Sequence, residues 1–302
     1  MSVVCVVQAR MGSTRLPGKV LMDLGGQPML AFMLERLASL DGVRLLVATS
    51  TGIGDDPIEA CARSVGVPVV RGDEADVLGR FRTALDRYPA DHVVRLTADC
   101  PLIDRNLVEA VVERHLASGA DYTSNTLIRT DPDGLDVEAM TARALRIADR
   151  EATDPTEREH VTPYLYRRPG RFALAAVLGS ARLGHLRWTV DTADDLDRVR
   201  SMVATGLSSV DRVPLRDGFE PAIPGEVPAR FERFDDPADR LVVLRVDGRR
   251  EGWARLRISD VGVATVESEL PAGYDTELER FAAATPQIVT LQRVQMQETV
   301  RT

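Results

Sequence analysis

Lysine is almost missing from this chain. Of its 38 Lys and Arg side chains, one is a lysine, Lys19. Aromatic residues are few, at 5%, and there are only three cysteines. Each shortage excludes something. Cys5, Cys61 and Cys100 show no paired metal-ligand spacing, and Cys5 and Cys100, at or beside apolar strands, read as packed thiols. The N-terminal apolar run has no basic segment before it and ends at Gln8. It is neither a signal peptide nor a membrane span, so a cytoplasmic protein without a membrane partner is expected. A net charge of −8 and a pI near 5.2 argue against a general nucleic-acid binder, whose domain is usually basic.

What is present is a chain of 302 residues with 44% apolar content, enough for one large domain and a small one. The lone lysine ends the stretch Gln8-Ala9-Arg10-Met11-Gly12-Ser13-Thr14-Arg15-Leu16-Pro17-Gly18-Lys19, directly after the apolar run at residues 3–7. A short buried strand leading into a glycine-containing basic loop suggests a phosphate cradle. Arginine is a planar fork, whereas lysine is a compact point charge that slots between phosphate oxygens. A site that needs lysine resists its replacement. The stretch has neither the spacing of a P-loop nor that of a dinucleotide-binding fingerprint.

Up to about residue 205, short apolar runs alternate with helical patterns. Residues 43–49, 67–70, 92–97 and 186–190 read as strands. Residues 28–40, 57–65, 76–88 and 106–118 read as helices, with Val77, Phe81, Ala84 and Leu85 on one face of the third. The alternation predicts an α/β fold with a mostly parallel sheet and helices on both faces. Ligands in that architecture bind beyond the carboxyl ends of the strands. Residues 1–212 form this domain and the Pro-rich stretch 213–228 reads as a linker. Residues 229–302 are predicted to be a small α+β module of unassigned role. In it, residues 240–246 and 252–258 flank a hairpin signal at Asp247-Gly248, followed by strands at 261–267 and 288–294 and a helix at 275–284.

Two aspartates stand at strand ends. Asp99 follows the strand 93–97, and Asp191 follows the strand 186–190 and opens a helix. If those strands are neighbours, both carboxylates face the crevice that holds the basic loop. Magnesium favours one or two carboxylates plus substrate phosphates. Asp191 fits a helix N-cap equally well, while Pro101 argues against a simple cap at Asp99.

The residues also resemble a known family. The run from Val7 to Leu21 is similar to the opening of the cytidylyltransferases of the spore coat polysaccharide biosynthesis protein F type. More distantly it resembles the enzymes that activate acylneuraminate and 3-deoxy-manno-octulosonate with CTP. The likeness continues through residues 71–78, 95–104, 133–138, 157–164 and 187–192, in the expected order. Ala98 departs from it, standing where many members carry glycine.

The resemblance implies a Rossmann-like fold of the nucleotide-diphospho-sugar transferase type. It implies transfer of CMP from CTP to an acidic, sugar-like acceptor with release of pyrophosphate. Ala9, Arg10, Gly12, Ser13, Arg15, Lys19, Arg71, Thr97 and Ala98 are expected at the nucleotide, with Lys19, Arg15 and Asp99 carrying the chemistry. Asp99 and Asp191 are expected to hold Mg2+ or Mn2+, and Asn125, Glu138 and His160 to meet the acceptor. His160 also fits a helix residue packed on the sheet. A homodimer is expected, with the C-terminal module contributing to dimer contacts or acceptor choice. A guanylyl- or uridylyltransferase on the same scaffold, a glycosyltransferase, and a non-catalytic nucleotide-binding protein remain open alternatives.

Overall fold

Strand β1 (Val3–Gln8) is buried on both faces over Val3–Val7, which is why it reads as an uninterrupted apolar run rather than an alternating one. It is an interior strand of the first of two units, Met1–Pro214 and Leu215–Thr302, into which the chain divides. The structure is a computed structural model. It describes residues 1–178, 183, 184 and 186–206, and five strands beyond them.

In chain order, β1 is followed by a small antiparallel pair, β2 (Asp23–Leu24) and β3 (Gln27–Pro28), and by α1 (Met29–Leu37). Then come β4 (Val43–Ser50), α2 (Asp56–Ser64), β5 (Val69–Gly72), α3 (Val77–Arg87), β6 (His92–Thr97) and α4 (Arg105–Ser118). The unit continues through β7 (Tyr122–Ser124), β8 (Glu138–Thr141), α5 (Ala142–Glu151), α6 (Pro155–His160), α7 (Pro163–Tyr166), β9 (Leu174–Ala176) and α8 (Ala193–Ala204). The seven-stranded sheet has the order β5-β4-β1-β6-β8-β7-β9. β1 is parallel to both β4 and β6, while β8 runs antiparallel to its neighbours β6 and β7. The mostly parallel α/β architecture expected from the alternation is therefore present. The ends of β1 and β6 lie side by side, with Gln8 opposite Thr97, so the basic loop and the Asp99 turn leave the sheet together.

The helix starts obey local chemistry. Asp76 caps α3 by accepting from Gly79 N at 2.9 Å, and Asp104 caps α4 through Leu107 N at 3.0 Å. Thr192 and Asp195 form a capping box on α8. The caps are thus Asp104 and Thr192, which leaves Asp99 and Asp191 out of helix capping.

One expected strand did not form. Residues 186–190 make only an isolated parallel bridge, Arg187 to Asp133. Trp188 N and Thr189 N both donate to Asp133 O, at 2.5 and 3.0 Å, so the segment is tied to the 133 loop rather than to a ladder. Gly134 makes this approach possible. It has φ +111°, and a Cβ there would come within 2.2 Å of Thr189 N.

In the second unit, β10 (Gly218–Pro221), β11 (Asp239–Val246), β12 (Arg249–Ile258), β13 (Val263–Glu269) and β14 (Thr290–Arg293) form a sheet in that order. β11 and β12 are the expected antiparallel hairpin and β13 the expected third strand, while β14 joins β13 in parallel. β10 falls within residues 213–228, where only linker was expected, because it pairs with β11. The hairpin turn at 247–248 and the helix expected at 275–284 lie outside the described residues.

Candidate active site

The loop after β1 folds back on itself. Met11 O accepts from both Ser13 N (2.9 Å) and Gly18 N (3.0 Å), and Gly18 reverses the chain at φ +72°. Met11 N is anchored at 2.8 Å to Asp55, which also accepts from Thr49 Oγ1 and Ser50 N. Burial opposes ionisation of Asp55, but these hydrogen bonds prevail and hold its carboxyl below the ordinary range. The result is a preformed loop that turns Lys19 inward.

Lys19 is only 7% exposed. Its Nζ donates to Val190 O (2.7 Å), Asp191 Oδ1 (2.9 Å) and Asp99 Oδ2 (3.0 Å). All three ammonium donors are therefore used, and the two carboxylates converge on one point. Their backbones are also joined, since Val190 N donates to Asp99 O at 2.8 Å and Thr189 Oγ1 to the same oxygen at 3.2 Å. Asp191 further accepts from Arg187 (2.6 Å) and pairs with Arg15 (3.0 Å). Burial would raise the Asp191 carboxyl, but Lys19, Arg187 and Arg15 outweigh it and hold it low. In this arrangement Lys19 is held by Val190 O and by the two aspartates.

A cleft of about 470 Å³ opens over this cluster. Of the residues expected at the nucleotide, Ala9, Arg10, Ser13, Arg15, Lys19, Thr97 and Ala98 line it, together with Asp99 and Asp191. The Ala98 methyl packs into the core. Arg15 is largely exposed, and Arg10 reaches Glu159 at 3.3 Å, so both basic heads are at the mouth. A second hollow of about 530 Å³ adjoins the first and shares Arg95, Thr97, Asp136 and His160 with it. Glu138 lines this second hollow, its carboxylate accepting from Arg95, from Tyr122 OH (2.5 Å) and from Thr162 Oγ1 (2.7 Å). Arg95 would lose charge through burial, but Glu138 keeps its pKa raised. The buried Val161, at φ 70°, turns the chain between His160 and Thr162.

Three expected residues lie elsewhere. Arg71 is spent on Ser50 O (2.7 Å), Gly52 O (2.8 Å), Asp56 (2.7 Å) and Glu59 (2.9 Å), which pin the start of α2 to β5. Asn125 is buried with its amide donating to Asp131 and Leu135 O and accepting from Val137 N, so it braces a loop and lines neither hollow. Gly12 sits outside the cleft lining, near Glu74. Conversely, Gln8, Arg80, Arg95, Asp133, Asp136 and Arg187 line the cleft without having been singled out. The arginines are hard to pick from a chain in which nearly every basic residue is arginine.

Asp99 and Asp191 fit a hard divalent cation, which takes one or two carboxylates and completes its shell with phosphate oxygens and water. Among the described residues no group of three or more His, Cys, Asp or Glu is gathered as a metal cage. Where such a cation binds, the rest of its shell would come from substrate oxygens and water. No helix among the described residues is long and apolar enough to cross a membrane.

Comparison with known proteins identifies the family. Residues 4–208 match the family model described as cytidylyltransferase. The chain is 33% identical over 205 residues to the spore coat polysaccharide biosynthesis protein SpsF of Bacillus subtilis, covering 65% of this chain and 84% of that one. It is 29% identical over 253 residues to the 3-deoxy-manno-octulosonate cytidylyltransferase of Anaeromyxobacter dehalogenans, covering 68% and 98%. Among solved structures, a cytidylyltransferase from Leptospira borgpetersenii superposes with a TM-score of 0.66 at 35% identity, over 68% of this chain and 87% of that one. This chain belongs to the cytidylyltransferase family.

Proposed function

We propose that this enzyme transfers CMP from CTP to an acidic, sugar-like acceptor and releases pyrophosphate. The observation that carries the reading is the convergence of Asp99 and Asp191 on one buried point, where a cleft edged by the basic loop meets a second hollow. The first space suits the nucleotide and the second the acceptor. An oxygen of the acceptor attacks the α-phosphorus of CTP in line, and the bond to the pyrophosphate oxygen breaks. Such a step needs little covalent help and depends on positioning and charge stabilisation.

Arg10 and Arg15, at the cleft mouth, hold the triphosphate and neutralise the charge that builds on the leaving group. Lys19 is poised to follow the phosphates once they enter. Asp99 and Asp191 would hold Mg2+ or Mn2+, which when bound supplies charge neutralisation at the phosphate oxygens. Arg95 and Arg129 are the cations of the second hollow, each paired with a carboxylate of the same wall, Arg95 with Glu138 and Arg129 with Asp136, and an acceptor carboxylate would compete for these two forks. His160 lies on the wall common to both spaces, within the region where the acceptor hydroxyl must lose its proton. The names of the relatives support an acidic sugar, since one of them acts on 3-deoxy-manno-octulosonate.

The test is a pyrophosphate-release screen. CTP, UTP, GTP and ATP are each offered with a panel of acidic sugars in magnesium or manganese. Pyrophosphate formed from CTP with at least one acidic sugar is the expected result. Release only with a purine nucleotide, or only with neutral sugars, would overturn the corresponding half of the proposal.

A further inference from the structure

Arg80 is the most conspicuous group in the cleft wall that the chemistry above leaves unused. It lies in the first turns of α3 and is 2% exposed. Its Nε and Nη1 are buried without any hydrogen-bond partner. Burying a guanidinium in this state is costly, and such a group is retained where a ligand completes it. The space it occupies is also specifically cleared. Gly72 of β5 faces it, and a Cβ there would approach Arg80 Cγ to 2.7 Å.

The surroundings select the ligand. The charged groups that act on Arg80 are Asp55, Arg10, Glu74 and Asp73, three of them acidic. Three carboxylates against one arginine favour an uncharged ligand group at Arg80 itself, Arg10 being the cation assigned to the triphosphate. The basic groups that suit phosphate, Lys19, Arg15 and Arg187, gather instead around Asp191. The same cleft is lined by Val77, one turn before Arg80 on α3, and by Ala9, both buried and apolar, which suit the flat faces of a base.

We propose that Arg80 reads the nucleobase, donating to the N3 and O2 acceptor edge of a cytosine. A guanidinium only donates. Cytosine presents acceptors at both N3 and O2, whereas uracil presents N3–H and would set donor against donor. Arg80 therefore selects CTP over UTP, and its unpaired state in the free protein is the cost of that selectivity. The inference rests on the cytidylyl-transfer reading and adds the residue that makes it specific for cytosine.

The experiment compares equilibrium binding of CTP, UTP, 3-deazacytidine triphosphate and inorganic tripolyphosphate in magnesium. With the unaltered protein, 3-deazacytidine triphosphate, in which C–H replaces N3, is expected to bind roughly 10- to 100-fold more weakly than CTP. Arg80→Met is expected to weaken CTP by a similar factor, to erase the preference over UTP, and to leave tripolyphosphate binding unchanged. Equal binding of CTP and its 3-deaza analogue by the unaltered protein would overturn the proposal without any variant having to fold. A parallel loss of tripolyphosphate binding in a folded Arg80→Met protein would overturn it in favour of a phosphate contact. If the unaltered protein binds no CTP at all, the cytidylyl-transfer reading itself fails, a result distinct from the other two.

Discussion

Lys19 Nζ donates to Asp191 Oδ1 at 2.9 Å, and the same nitrogen holds Asp99 at 3.0 Å. The lone lysine of the chain thus stands at the point on which both candidate metal carboxylates converge. Under the proposed function, a divalent cation held by Asp99 and Asp191 would compete with the ammonium for both carboxylates, and Lys19 would then be available to the phosphates.

Replacing Lys19 should therefore do two things. Lys19→Ala should abolish pyrophosphate release and, because the ammonium is buried rather than on the surface, should cost stability on the order of 1–3 kcal/mol. Lys19→Arg should also be badly impaired, since a planar fork cannot place one nitrogen among three acceptors in the same space. Steady-state rates and thermal melting of the two variants check this. An arginine variant with nearly full activity would refute it.

Asp99→Asn and Asp191→Asn should each lower the rate on the order of 10²-fold or more, through lost charge stabilisation at the phosphates. Raised magnesium should partly rescue at least one of them. Rate measurements across a magnesium titration provide the check, and full activity of either variant at ordinary magnesium would remove that residue from the site.

Gly134→Ala should be destabilising by about 1–3 kcal/mol or more, because a methyl would be driven into the backbone at Thr189 from a left-handed conformation. The segment it displaces leads to Asp191, so activity should fall further than stability alone explains. Comparing melting temperature with the rate of the fully folded fraction separates the two effects.

Acid sensitivity should trace in part to His115. It is buried, contacts His92 at 3.0 Å and Thr123 at 2.9 Å, and its pKa is lowered from 6.5 to about 4, by burial first and by His92 second. The unfolded chain binds a proton between these two values and the folded chain does not. The contribution of His115 to stability is therefore complete above about pH 6.5 and lost as pH falls toward 4. It is worth on the order of 3 kcal/mol. Urea titrations from pH 7 to pH 4 should show a decline that His115→Gln makes shallower. An unchanged slope would contradict the assignment.

Much of the site was legible because its parts sit at chain features with one physical meaning. Lys19 stood out by its uniqueness, and Asp99 by following a β-branched strand and preceding a proline. The place of Asp191 was also legible, although the strand expected before it is an extended segment held by Asp133. That arrangement depends on Gly134, which gives no local signal of packing against a segment more than fifty residues away. Arg71 was expected at the nucleotide from the resemblance, but the acids one turn apart on α2, Asp56 and Glu59, claim it. Arg80 was invisible for the opposite reason. It lies in an amphipathic helix where an arginine ordinarily points to solvent, and only the packing of α3 under β5 buries it.

Under the proposed function, the α-phosphate of CTP moves to an acidic sugar at the Asp99–Asp191 cluster. The most direct measurement follows separate labels on the α- and γ-phosphates of CTP in the presence of an acidic sugar and magnesium. The α label is expected in the sugar product and the γ label in pyrophosphate, and both transfers are expected to slow on the order of 10²-fold or more in Asp191→Asn. An α label that remains in free nucleotide, or reaches the sugar at full rate without Asp191, would contradict it.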